Sequence, residues 1–600
     1  MSHKIKAVND FVILFANING SGSASANNLF TKAVFRLGIP VAAKNIFPSN
    51  IQGLPTWFEV RVSEKGYLGR REGYDFVVAT NGQTFEKDYN DLMTGGYFFY
   101  DASRLLPAHL KRDDITEIGI PLTKICNENY SNPRLRQIFK NIIYVGALAY
   151  LFDMEFSVFE ESIKSQFAKK AKLIEPNINA LKLGYDYAKD NYANTCELNI
   201  QRRDLVADKI MIEGNDATGL GAVFAGATVT GWYPITPSTS VIEAFEKYCH
   251  KYRVDEESGQ NKFAIVQAED ELAAIGIVIG AAWNGARAFT ATSGPGVSLM
   301  SEFLGLAYFA EVPAFLIDIQ RSGPSTGMPT RTQQSDMIAA AYASHGDTKH
   351  VLLIPSNPKE CFDMTIQGID LAEQLQTPVI MMSDLDLGMN LHMSDAIKWD
   401  DNYQWDRGKV FDFEDLESKK ERWGRYLDVD DDGIPYRTIP ATHPTKGAFF
   451  TRGSSHDEYA VYTEDGKVYE KGMYRLLKKW DTAKSMVPKA EIMNNNHSIG
   501  IVYYGTSSYA AQEAIDLLYK QNILVDTLCI KAFPFGQEVE DFISAHQTLF
   551  VIEQNRDAQM KTLLVNELHI NPNKLNEILN IDGMPITASF IVGRMKKVVK

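Results

Sequence analysis

Cysteine is scarce in this chain: five in 600 residues, at 126, 196, 249, 361 and 529, with no two close together. That spacing excludes a Cys-x-x-Cys zinc site or an iron–sulfur site on these residues and suits a reducing compartment, the cytoplasm. Excess positive charge is lacking too. A net charge of −14 leaves no basic face for nucleic acid. No apolar run is long enough to span a bilayer. The most apolar, "LAAIGIVIGAAW" (272–283), leads into Asn284 and Arg287 and predicts a buried helix. "MSHKIKAVND" carries neither an apolar segment nor a small-residue cleavage site, so no secretory leader is expected. What remains is an ordinary globular composition, 45% hydrophobic and 23% charged, with length for three or four domains.

The pattern along the chain is α/β. "FVILFA" (11–16) reads as a buried strand, "NINGSGS" (17–23) as a turn, and "SASANNLFTKAVFRL" (23–37) as a helix stopped by Gly38. Strands follow at "WFEVRVS" (57–63), "YDFVVAT" (74–80) and "GYFFYD" (96–101). The polar stretch "KDNYANTCELNIQRRD" (189–204) reads as a linker. A second α/β block runs from "GNDATGLGAVFAGATVTG" (214–231) to "TPVIMMSDLDLG" (377–388). Residues 391–490 lose the period, and "DFEDLESKKERWGRYLDVDDDG" (412–433) reads as mostly solvated surface. From "HSIGIVYYGTSSYAAQEAIDLLYKQ" (497–521) the strand–loop–helix pattern returns.

Several motifs carry chemistry beside a plainer reading. Gly20 and Gly22 between strand and helix can admit a phosphate to a helix N-terminus or simply make a tight turn. Ser25 stands where the dinucleotide fingerprint needs its third glycine, and Lys44 where it needs an acid, so NAD is excluded. In "GWYPITPSTS" (231–240), Pro237 keeps Thr236 out of the helical region. Ser240 and Glu243 fit a capping box, which leaves the Thr236 hydroxyl free for a ligand or for its own backbone. Glu269, Asp270 and Glu271 precede an apolar helix; its dipole explains one or two of them. A glutamate set among apolar residues can instead share a proton with a heterocyclic nitrogen. "IDIQRSGPSTGMPTRTQQSD" (317–336) presents Arg321 and Arg331 on a Gly/Pro loop, suited to a carboxylate or to surface ion pairs. "TATSGPGVSLMSEF" (290–303) reads as another such loop, and His345 and His350 as loop residues without metal partners.

Together, "YPITPSTS", "QAEDELAAIG", "ATSGPGVSLMSEFLGLA" and "QRSGPSTGMPTRTQQSD" resemble, in order and spacing, the α subunit of the 2-oxoacid:ferredoxin oxidoreductases. "NGSGSASAN…FPSNIQGLPTW" is similar to that family's γ subunit, fused ahead of the α subunit, and "YYGTSSYAAQEAI…VIEQNRDAQM" to its transketolase-C-terminal-like domain. Within the family, the likeness is to chains acting on 2-oxoglutarate. The resemblance implies an α/β fold of several parallel-sheet domains: a γ-type Rossmann-like domain (1–195), a linker (196–210), a pyrimidine-binding domain for thiamine diphosphate (211–390), an irregular connector (391–490) and the C-terminal-like domain (491–600). It implies that Glu271 bonds the cofactor's aminopyrimidine, with Glu269 in reserve, and that Tyr233, Pro234 and Ile235 lie against the cofactor. Thr236 and Arg321 would hold the substrate's carboxylate and carbonyl, Arg331 the distal carboxylate, and Gly20 and Gly22 coenzyme A.

The family's Gly-Asp-Gly…Asn motif, which holds the diphosphate and Mg²⁺, has no counterpart here, since no Gly-Asp-Gly occurs. The resemblance therefore implies a β subunit carrying that site and an iron–sulfur cluster, ferredoxin as electron acceptor, and a dimer of αβ units. Two alternatives stay open: the same chemistry on pyruvate or a broad range of 2-oxoacids, and a non-catalytic α/β scaffold or nucleotide-binding module.

Overall fold

The computed structural model describes residues 4–49, 53–449 and 451–599. Residues 1–3 of the amino-terminal stretch and 50–52 of "FPSNIQGLPTW" lie outside the described residues. Two compact units emerge: residues up to 212 with 390–396 and 587–590, and residues 213–389, 397–586 and those from 591 on.

In the first unit, β1 (Asp10–Ile18), β2 (Val41–Ile46), β3 (Pro55–Ser63), β4 (Tyr74–Ala79), β5 (Leu92–Asp101) and β6 (Thr116–Ile120) form one sheet ordered β2-β3-β1-β4-β5-β6. The β3 pairings are antiparallel and the others parallel. β1 and β4 are near-continuous apolar runs because both faces of the sheet are covered. Gly20 and Gly22 take φ of 81° and 80°, so the chain reverses tightly into α1 (Ser23–Arg36), and Gly38 ends that helix at φ 78°. Helix α2 (Pro133–Leu151) leads to Phe152, whose ring gathers Phe11, Phe30 and Phe76 at centroid distances of 5.2, 6.0 and 4.9 Å. The polar stretch 189–204 is packed down: Leu198–Asn199 pairs with Ala7–Val8, and the Arg203 carbonyl lies where a Gly38 side chain would be.

The second unit is built on β7 (Val229–Trp232), β8 (Ala264–Gln267), β9 (Ala288–Thr292), β10 (Ala314–Gln320), β11 (Val351–Leu353) and β12 (Pro378–Asp384), ordered β8-β7-β9-β10-β12-β11. These strands are parallel, and the short strand Ala532–Phe533 closes the β11 edge antiparallel. Helices α3 (Gly214–Phe224), α4 (Thr239–Tyr252), α5 (Glu271–Trp283), α6 (Gly294–Ala310) and α7 (Pro358–Leu375) alternate with the strands. A second, five-stranded sheet holds β13 (Glu491–Met493), β14 (Ile499–Tyr504), β15 (Asp526–Ile530), β16 (Thr548–Glu553) and β17 (Leu575–Leu579), ordered β13-β15-β14-β16-β17 and parallel except at β13.

Two expectations are corrected. The apolar run 272–283 is helical, yet α5 buries only one face: Ala274, Ile275 and Val278 point inward while Leu272 and Trp283 are exposed. The Gly/Pro stretch 290–303 is no loop. Pro295 sits in the first turn of α6, where a missing N–H costs nothing. His350 lies in the loop before β11, as read from the sequence, and is fully buried there: Nε2 lies 2.9 Å from the Ala343 carbonyl, and burial pulls its pKa down to about 4. The segment 412–433 is mostly exposed, as read, but Arg425 and Tyr426 sink into the core: Arg425 donates to the Glu311 carbonyl (2.6 Å) and Tyr426 to the Ala310 carbonyl (3.2 Å). Glu311, at φ 57°, ends α6. Its buried carboxylate meets Arg475 at 2.5 Å, Lys479 at 3.6 Å and Arg425 at 3.8 Å, so residues 425–479 are tied to the end of α6 by charge.

Candidate active site at the carboxyl edge of the large sheet

From β7 the chain runs through α4 to β8 on one side, then through α5 to β9 on the other, so β7 and β9 flank a topological switch point. Ligands of open α/β sheets bind outside the carboxyl ends of the strands there. The segment leaving β7 carries Tyr233 and Pro234, both exposed, then Ile235 and Thr236, half-buried. The Thr236–Pro237 peptide is cis. The Thr236 hydroxyl makes no hydrogen bond among the described residues, while its carbonyl accepts Arg321 Nη1 at 2.5 Å. The capping box expected of Ser240 and Glu243 does not form. α4 opens at Thr239, two residues too early for it, and the Ser240 hydroxyl accepts from Asn215 Nδ2 instead (2.8 Å).

Of the acidic trio leaving β8, Glu269 and Asp270 are exposed and Glu271 is only 6% exposed. Asp270 is the N-cap of α5, accepting the Ala273 N–H at 2.7 Å. Glu271 is left without a capping task, and its carboxylate takes no hydrogen bond among the described residues. Its Cγ lies against Gly296, where an added Cβ would stand 2.9 Å from it and 1.9 Å from Thr292 Oγ1. Only glycine leaves this acid its place. A buried carboxylate without a donor fits a cofactor ring that brings an N–H.

Arg321 leaves β10 and is only 8% exposed, which rules out the surface ion-pair reading. Burial lowers its pKa, the charge of Asp336 acting in the opposite sense, and its Nε has no hydrogen-bond partner. It lines a cleft of about 610 Å³ with Gly294, Pro295, Ser298, Asp336 and Asn555 among the other walls. Arg331 stands apart from this lining. Half-buried, it donates to the Thr330 carbonyl at 2.9 Å, and its Cβ stands where a Gly583 side chain would go. Gly20 and Gly22 belong to the first unit, at the start of α1, whose first turn has no side-chain cap. Among the described residues there is no cluster of three or more His, Cys, Asp or Glu that could hold a metal ion.

Sequence reasoning missed Asp318 and Asp336. Asp318 is fully buried in β10 with neither oxygen hydrogen-bonded, and Asp336 lines the cleft with Oδ2 unpartnered. Burial raises the Asp318 carboxyl well above the usual range, and nearby Asp336 raises it further. Burial also pushes Asp336 up to about 7, against the pull of Arg321. The signal was available: an acid in the largely apolar strand "AFLIDIQ" is costly without partners, roughly 2–7 kcal/mol even for a neutral polar group and far more for an ionised one.

Comparison with known proteins places this edge in a family. Residues 220–466 match the model described as pyruvate flavodoxin/ferredoxin oxidoreductase, thiamine diphosphate-binding, and residues 12–187 match pyruvate ferredoxin/flavodoxin oxidoreductase. The α subunit of 2-oxoacid:ferredoxin oxidoreductase 2 of Aeropyrum pernix is 28% identical over 98% of each chain. The 2-oxoglutarate synthase subunit KorA of Methanothermobacter marburgensis is 32% identical, over 58% of this chain and 89% of that one. The solved 2-oxoglutarate:ferredoxin oxidoreductase of Magnetococcus marinus, with 2-oxoglutarate, coenzyme A and succinyl-CoA bound, superposes with a TM-score of 0.88 at 27% identity, over 99% of this chain and 100% of that one. With a thiamine diphosphate-binding domain along the sheet edge just described and relatives that span it from end to end, this chain belongs to the 2-oxoacid:ferredoxin oxidoreductase family, as an α subunit.

Proposed function

We propose that the chain is the α subunit of a 2-oxoglutarate:ferredoxin oxidoreductase. With a β subunit it would interconvert 2-oxoglutarate, coenzyme A and oxidised ferredoxin with succinyl-CoA, CO2 and reduced ferredoxin. The observation that carries the catalytic reading is Glu271, a residue only 6% exposed whose carboxylate has no donor among the described residues, at the switch-point edge of the sheet. Bound thiamine diphosphate would supply the nucleophilic carbon and electron sink that decarboxylation of a 2-oxoacid requires. Glu271 would hold the ring-nitrogen proton, and Tyr233, Pro234 and Ile235 would line the ring's approach. Glu269, exposed, is the reserve. Thr236 brings an unused hydroxyl and Arg321 a buried guanidinium to orient the substrate's 2-oxo and carboxylate end. Arg331 is proposed for the distal carboxylate, and Gly20 and Gly22 for coenzyme A.

The diphosphate, Mg²⁺ and iron–sulfur cluster fall to the β subunit in this reading. The exposed apolar side chains of Val266, Leu272 and Leu299, beside the segments that carry the site, suit an interface with it. A dimer of αβ units in the cytoplasm and the domain limits 1–195, 196–210, 211–390, 391–490 and 491–600 complete the proposal. Two named relatives support 2-oxoglutarate as substrate. A relative named only for 2-oxoacids, covering 98% of this chain, leaves room for a second reading, the same chemistry on pyruvate or a broad range of 2-oxoacids.

The test is the purified native complex, assayed with coenzyme A and each acid. Equal rates with pyruvate and 2-oxoglutarate remove the 2-oxoglutarate assignment. Glu271→Gln should lower turnover by about 10²–10⁴-fold with the fold unchanged. Full turnover in that variant would shift the role to Glu269 or to neither.

A further inference from the structure

The recess behind Arg321 contains more acid than it can hold ionised. Asp318 and Gln320 alternate onto one side of β10, and Gln320 Oε1 accepts the Asp336 N–H at 3.1 Å, which pins Asp336 beside Asp318. The Asp336 carboxylate lies against Gly294, where an added Cβ would stand 2.6 Å from either oxygen. Four polar atoms here have no hydrogen-bond partner among the described residues: Asp318 Oδ1 and Oδ2, Asp336 Oδ2 and Arg321 Nε. The other charged groups at the cleft are Arg556 and Asp557, exposed and paired with each other at 2.7 Å. Arg321, the buried cation of the cleft lining, therefore faces Asp336, and Asp336 in turn has the second buried acid, Asp318, beside it.

That arrangement is awkward for an anionic substrate. An ionised Asp336 would occupy Arg321 electrostatically and repel an incoming carboxylate. A neutral Asp336 frees the guanidinium and offers an O–H donor beside it. We propose that the Asp318–Asp336 pair makes carboxylate binding at Arg321 proton-linked: Asp336 takes a proton from solvent as the 2-oxoacid enters and donates a hydrogen bond to it, while Asp318 stays neutral beneath. Asp336 is then a specificity-determining residue and Asp318 a positioning one. The idea rests on Arg321 being the substrate's carboxylate site, as proposed above.

Calorimetry of the native complex with 2-oxoglutarate at pH 7.5, in buffers of different ionisation enthalpy, counts the protons taken up. Uptake of a fraction of a proton up to one is expected, together with a KM that rises above pH 7 by up to roughly tenfold per pH unit at nearly constant kcat. Asp336→Asn should abolish both the uptake and the pH dependence of KM. Asp318→Asn, a neutral amide for a neutral acid, should retain both, which a merely structural role for the pair would not predict. Proton uptake that persists in Asp336→Asn, or is lost in Asp318→Asn, overturns the proposal. Arg321→Ala separates the underlying reading: unchanged 2-oxoglutarate affinity in that variant sinks the carboxylate site itself, whatever the proton count.

Discussion

The two ends of α6 bury charge in opposite ways. At its C-terminal end the fully buried Glu311 is surrounded by Arg425, Arg475 and Lys479, cations at the end of the helix where the dipole favours them. Burial pushes the Glu311 carboxyl up, but the three cations together hold it below its ordinary value; burial draws Lys479 down to about 8. At the N-terminal end Asp336 meets one arginine and has a second buried acid, Asp318, beside it, and burial wins: both carboxyls are raised. The first cluster is closed and matched by opposite charge. Both leave buried polar atoms without a hydrogen bond, Glu311 Oε2 and Arg425 Nε and Nη1 in the first, but only the second has acids in excess and opens on a cleft. Buried charge by itself therefore does not mark a site; buried charge left without partners at a concave edge does.

Breaking the closed cluster should have the largest effect. Glu311→Ala strands three cations and should cost about 3–5 kcal/mol, read as a loss in thermal or denaturant midpoint, whereas Asp318→Asn should stay within about 1 kcal/mol of the parent. Breaking the open cluster should appear in kinetics. Arg321→Ala should lower kcat/KM for the 2-oxoacid by roughly 30- to 100-fold with the midpoint unmoved. Gly296→Ala probes the crowding at the N-terminal end: its methyl group would press on Thr292 and Glu271, at a cost of about 1–3 kcal/mol in the midpoint and with reduced turnover.

The smallest effect is in pH. Glu311, lowered in the fold, contributes stability that is present above pH 4.5 and lost as pH falls through its folded value. Asp336, raised in the fold, contributes stability that is present below pH 3.8 and lost as pH rises toward 7. Asp336→Asn should therefore gain on the parent by roughly 1–2 kcal/mol between pH 5 and pH 7. A constant difference across that range would remove the contrast between the two ends.

Much of the fold was legible because local rules agree with it. The runs at 11–16, 57–63, 74–80 and 96–101 are strands, and the Gly20–Gly22 turn opens a helix that Gly38 ends. Single elements failed where partners outside the window decided. The 272–283 helix reads as buried from its composition alone, but burial depends on what covers each face. Arg425 reads as surface until Glu311, 114 residues earlier in the chain, is seen to receive it. Thr236, Glu271 and Arg321 stood out by residue type and setting, yet only the pairing of parallel strands brings their segments to one edge of one sheet. Asp318 and Asp336 lay inside a stretch already singled out for its arginines, and their importance rests on a proximity across 18 positions of chain that no period encodes.

By itself, the amino-acid sequence determined that this is an α/β chain with neither clustered thiolates nor a membrane-length apolar run, and it singled out the segments proposed above to carry the chemistry, because periodicity, turn residues and composition are local properties. Which acid of the 269–271 trio is buried, which arginine loses its water and which carboxyls keep their protons was decided only by the tertiary structure. Desolvation and Coulomb interactions depend on distance in space, and strand order sets that distance.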